Sequence, residues 1–63
     1  MIDVTAINVG TRLKLQGVIA EVTENMEDGQ WLRVRYLESP GRPAEVGTVE
    51  LCHAQDIIEI LSE

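Results

Sequence analysis

Along most of the chain apolar and polar residues alternate with a period of two, the pattern of half-buried strands rather than of helices. Leu13 and Leu15 alternate with Arg12 and Lys14. After Gly17 the phase reverses, so that Val18, Ala20 and Val22 alternate with Ile19, Glu21 and Thr23. A glycine at a phase change predicts a bulge or a sharp bend in a coiled strand. Residues 25–29, Asn-Met-Glu-Asp-Gly, carry turn chemistry, with Asp28-Gly29 able to place the glycine in the left-handed region. The stretch from Gln30 to Tyr36 alternates again. A hairpin folded about that turn sets Val22 against Leu32, Ala20 against Val34 and Val18 against Tyr36 on the core face. Its other face pairs Thr23 with Trp31, Glu21 with Arg33 and Ile19 with Arg35.

Beyond Leu37 the segment Ser39-Pro40-Gly41-Arg42-Pro43 cannot continue a ladder and reads as a loop. Residues 48–52 form a short strand with Val49 and Leu51 inward. Residues 53–56, His-Ala-Gln-Asp, are too short for an α-helix and predict one 3-10 turn. Residues 57–61 close the chain as a strand with Ile58 and Ile60 inward and Glu59 outward. The first ten residues, with Ile2, Val4, Ile7 and Val9, predict an added edge strand or an arm. The expected fold is all-β: a single domain over 1–63, a small barrel of about five short strands with one 3-10 turn before the last.

At residues 9–22, Val-Gly-Thr-Arg-Leu-Lys-Leu-Gln-Gly-Val-Ile-Ala-Glu-Val, and 49–60, Val-Glu-Leu-Cys-His-Ala-Gln-Asp-Ile-Ile-Glu-Ile, the chain resembles the SH3-like small barrels. Gly17, Ile19 and Val22 are similar in spacing to a KOW element, a subtype found in ribosomal and transcription factors. That likeness implies RNA binding, but the lysines and arginines that flank KOW elements are largely missing here.

Composition narrows the function. Sixty-three residues with 44% hydrophobic content fit one packed domain and leave no room for separate cofactor and substrate domains. A chain this short is marginal in stability, and with one cysteine and one histidine it has no internal disulfide or Cys/His zinc site to help. Self-association is the expected remedy. No cofactor or metal is expected. The lone thiol, together with the lack of a signal-peptide pattern or a long apolar run, predicts a cytoplasmic protein with no membrane partner.

The charge of −6 is uneven: residues 1–42 hold five bases and six acids, whereas residues 43–63 hold five acids and no base. Glu45, Glu50, Asp56 and Glu59 are therefore candidates for an acidic surface, against the plainer reading of solubility. Cys52-His53 is the one pair that suggests nucleophilic catalysis. Neighbours on a strand point to opposite faces, so a structural role is expected, with Asp56 at a spacing suited to hydrogen bonding within a turn. The glycines have no phosphate-loop spacing. Trp31, Arg33 and Arg35 share a strand face, with Arg12 and Lys14 expected near them. An aromatic among cations is what single-stranded nucleic acid requires, but an opposing Glu21 and the net charge argue against nucleic acid as a partner. Ile19 and Trp31 beside Arg33 and Arg35 fit a protein interface better, tryptophan and arginine being enriched at binding hot spots.

The expectation is a non-enzymatic protein-interaction module that is homo-oligomeric and binds another protein through Ile19, Trp31, Arg33 and Arg35. Two alternatives stand beside it. One is an acidic inhibitor or regulator of a nucleic-acid-binding protein, of phage or mobile-element type. The other is an enzyme assembled by symmetry around a shared pore.

Overall fold

The computed structural model describes residues 4–62, with the side chains of residues 4–61. Its strands are β1 (Arg12–Leu15), β2 (Val18–Asn25), β3 (Trp31–Glu38), β4 (Val49–His53) and β5 (Glu59–Ser62). All are antiparallel to their neighbours, in the order β4-β3-β2-β1-β5. No α-helix occurs among the described residues, and 3-10 turns at Val4–Ala6, Pro43–Glu45 and Ala54–Asp56 complete the molecule. The fold is all-β, with the last of these turns immediately before the final strand, as expected. β4 and β5 lie at opposite edges, and the sheet is not closed into a barrel.

Local chemistry explains both hairpins. Leu15 faces Val18 across a two-residue loop, with Gly17 at φ +72°. The phase reversal predicted as a bulge within one strand is therefore a hairpin turn, which only a left-handed residue closes so tightly. At the second turn Gly29 takes φ +77°, while the Asp28 carboxylate accepts from the backbone N–H groups of Gln30 and Trp31. Those two bonds hold the Asp28 carboxyl below its ordinary value.

The β2–β3 register differs from the expected one by two residues over Ala20, Glu21 and Val22, and by three on either side of them. Val22 faces Val34, Ala20 faces Tyr36, and Asn25 faces Leu32, with register shifts between Ile19 and Ala20 and between Val22 and Glu24. A two-residue slip preserves which side chains point inward, so the core membership survives it. The buried cluster contains Val4, Ile7, Leu13, Leu15, Ala20, Val22, Leu32, Val34, Cys52, Ala54 and Ile57, with Val18 and Tyr36 packed against it.

Three further expectations are corrected. Val49 and Leu51 point to solvent and Cys52 to the core. Ile57 is buried, whereas Ile58 and Ile60 are exposed. Ile60 does face Leu13, on the core side of the sheet, but an open sheet leaves an edge strand uncovered there. At the other terminus the described part of the first ten residues forms a 3-10 turn, not an edge strand, and sends Val4 and Ile7 into the core. The Asn25 amide nitrogen donates to the carbonyls of both, at 2.8 Å each, which ties this turn to β2. Ile2 lies outside the described residues. Among those described, no helix is long and apolar enough to cross a membrane.

Candidate interaction surface

The outer side of β3 presents Trp31, Arg33 and Arg35, and the outer side of β4 presents His53, Leu51 and Val49 directly opposite them, in that order. Trp31 is 39% exposed, Val49 45% and Leu51 57%. The indole packs against the His53 ring edge-on, with centroids 4.8 Å apart and planes at 84°. Each of the two arginines has an acid opposite it on β2. Arg33 Nε lies 3.7 Å from Glu24 Oε1, and Arg35 faces Glu21 on β2. The expected opposition of Glu21 and Arg33 is replaced by these two because the ladder starts at the turn three residues off the expected offset, of which the one-residue β2 bulge takes back one.

The structure brings Trp31, Arg33 and Arg35 together but separates Ile19 from them. Ile19 is half-buried and faces Lys14 on one side and Glu38 on the other. Glu38 stands seven residues along β3 from Trp31, about 23 Å at the strand rise. Arg12 and Lys14 do not adjoin the tryptophan either. They lie on β1, with β2 between them and β3, and Glu21 is the cross-strand neighbour of both Arg12 and Arg35.

Where β3 and β4 meet the β1–β2 turn, a concave mouth of about 340 Å³ is lined by residues that include Leu15, Val18, Tyr36, Leu51, Asp56 and Ile58, so Leu51 borders it as well as the outer face. Burial pushes the Tyr36 phenol above its ordinary value of 10.0, and the carboxylates of Glu50, Glu45 and Asp56 reinforce the shift. Three of the four acids expected to make an acidic surface therefore act on one phenol. Glu59 is apart from them, on β5 opposite Lys14.

Cys52 and His53 do not form a catalytic pair. The Cys52 thiol is buried and donates to the His53 carbonyl at 3.4 Å. Burial, reinforced by the Asp56 charge, pushes it from 9.0 to about 11, the opposite of an activated nucleophile. His53 instead caps the turn that follows. Its Nδ1 accepts from the Gln55 backbone N–H at 3.1 Å, while the Asp56 carboxylate accepts from the His53 backbone N–H at 3.4 Å. The His53–Asp56 spacing thus serves turn hydrogen bonding, as expected. Among the described residues no group of three His, Cys, Asp or Glu side chains is placed to hold a metal ion.

Sequence reasoning missed Val49 and Leu51 as surface residues and Tyr36 as the centre of the acidic group. A signal for the first was present. In Val49-Glu50-Leu51-Cys52-His53-Ala54 the alternative phase, with Cys52 and Ala54 inward, runs directly into the 3-10 turn.

Set against known proteins, the chain matches no family model, no curated protein and no solved structure.

Proposed function

We propose that this protein is a non-enzymatic protein-interaction module that works as a small homo-oligomer, with Trp31, Arg33 and Arg35 at its contact surface. The observation that carries this reading is the outer face of β3–β4, where Trp31, Val49 and Leu51 stay exposed together beside two guanidiniums. Adjacent apolar groups of that kind on a small domain mark a contact surface, whereas scattered ones do not. The finer fold assignment is an SH3-like barrel type, supported by five antiparallel strands and the 3-10 turn before the last. The proposed compartment is the cytoplasm, supported by a single buried thiol with no disulfide partner.

A second reading, an acidic inhibitor of a nucleic-acid-binding protein, is favoured by the grouping of Glu45, Glu50 and Asp56 about Tyr36. One experiment separates the two. A photo-crosslinking amino acid is placed in native cells at Trp31, at Glu50 or at Glu59. A discrete protein adduct from position 31, absent from position 59, supports the interaction face. An adduct to a basic protein from position 50 alone replaces it with the acidic reading, and no adduct from position 31 removes the proposed surface.

A further inference from the structure

An antiparallel sheet with two free edges must either protect them or use them. The edges here differ. β5 is opposed by a register shift between Arg12 and Leu13, and irregularity of that kind blunts an edge. β4 pairs with β3 through five consecutive positions without a shift, and it contains no proline, lysine or arginine. Its outward apolar side chains, Val49 and Leu51, adjoin a shallow concavity of about 320 Å³ lined by Arg33, Val49, Glu50 and Leu51.

The direction of the backbone groups follows from the ladder. Tyr36 N–H donates to the Thr48 carbonyl and Ala54 N–H to the Gln30 carbonyl. Even-numbered residues of β4 therefore turn their backbone groups towards β3, and Val49, Leu51 and His53 turn theirs to the open side. The His53 N–H is taken by Asp56. For Val49 and Leu51, no partner on that side occurs among the described residues.

We propose that this edge pairs antiparallel with β4 of a second copy, on a two-fold axis at Leu51. The pairing rests on the self-association in the function proposed above and gives it a location and a register. Opposed residues of an antiparallel pair share a face and the direction of their backbone groups, so a symmetric pair is centred on one residue. Centring on Glu50 would set two carboxylates against each other. Centring on Leu51 sets Leu51 against Leu51, Val49 against His53 and Glu50 against Cys52, with no like charges opposed. Charge also selects a second copy over a polyanion. Arg33 is ion-paired to Glu24 and Arg35 stands opposite Glu21 in the ladder, so a chain of net charge −6 meets itself here where acids and bases alternate. The result is one continuous ten-stranded sheet, with the exposed apolar groups of both copies in adjacent rows.

Sedimentation of the full chain over a range of concentrations tests this. The expected mass at high concentration is twice the 7.0 kDa of the monomer. Leu51→Lys, a charge at an exposed position opposite its own copy, should weaken dimerisation about a hundredfold. In Leu51→Cys the Cα atoms of the opposed pair stand about 5.5 Å apart, within disulfide reach, so mild oxidation should give a covalent dimer. Glu59→Cys on β5 should stay uncrosslinked under the same oxidation, and Cys52 is too buried to contribute. A dimer indifferent to Leu51→Lys, a crosslink through position 59 instead, or a larger ring joining β4 to β5 would overturn this pairing while leaving self-association standing. A monomer at every concentration would overturn both.

Discussion

The outer face of β3–β4 and the mouth around Tyr36 share β3 and β4, the mouth being completed by the β1–β2 turn and the 3-10 turn after β4, and their chemistry differs. On β3 the alternation is conventional, with Trp31, Arg33 and Arg35 outward and Leu32, Val34 and Tyr36 inward. On β4 it is inverted: Val49 and Leu51 face solvent, while Glu50 stands across from buried Val34 on the core side. An interior strand could not carry a carboxylate at that position without a partner. β4 can, because it lies at the edge and Glu50 remains exposed beside the Tyr36 mouth. The contrast teaches that an edge strand, with one neighbour only, can leave apolar side chains such as Val49 and Leu51 in solvent and set a carboxylate on the core side.

The strongest way to break the comparison is to truncate one leucine on each side. Leu32→Ala, at a fully buried position, should destabilise the chain by about 3 kcal/mol. Leu51→Ala, at low protein concentration, should stay within about 0.5 kcal/mol of the parent. Denaturant unfolding of both variants reads the difference directly, and equal losses would show that Leu51 belongs to the core.

Alkaline titration sharpens the other side. Cys52 sits near 11 against 9.0 in its ordinary state, and Tyr36 lies above its ordinary 10.0. In both cases the folded chain holds a proton that the unfolded chain sheds first. Stability is therefore whole below pH 9.0 and falls as pH rises through the folded values. Thermal melts should show the decline, and Cys52→Ala should remove its first part. The Tyr36 phenolate absorbance should appear at lower pH in Glu50→Gln.

The smallest expected effect is at Glu24. Its contact with Arg33 is exposed on both partners, so Glu24→Gln should cost about 0.5 kcal/mol or less, fading with added salt. A larger loss would mean that the outer face is held by its ion pairs rather than by the ladder beneath.

Parity was legible in the chain, and register was not. Alternation identifies Ala20, Val22, Leu32 and Val34 as one face whatever the pairing, because a slip of two leaves sides unchanged. It cannot reveal that the ladder begins with Asn25 opposite Leu32, three residues from the expected offset, or that the extra residue between Val22 and Glu24 takes one back and leaves Val22 facing Val34. The edges were misread for a related reason. Assigning the larger apolar residues inward works where both sides of a strand have neighbours, and fails at β4 and β5, which have one neighbour each. The candidate surface was accordingly half legible. Trp31, Arg33 and Arg35 follow from parity along one strand, whereas the separation of Ile19 and the addition of Val49 and Leu51 depend on pairing between strands.

Asn25 has a further consequence, for how the molecule ages. Its amide nitrogen is committed to Val4 and Ile7, and its side-chain oxygen accepts from the Glu27 backbone N–H at 2.8 Å. Deamidation would replace that nitrogen with an anionic oxygen facing two carbonyls, repelling the turn that covers one end of the core. The backbone nitrogen of Met26, which would have to attack the side chain to begin that reaction, donates to the Trp31 carbonyl at 3.4 Å. While the hairpin is intact, the bond most damaging to lose is thereby kept from its nearest reagent, and deamidation at Asn25 should proceed only as often as that hairpin end opens.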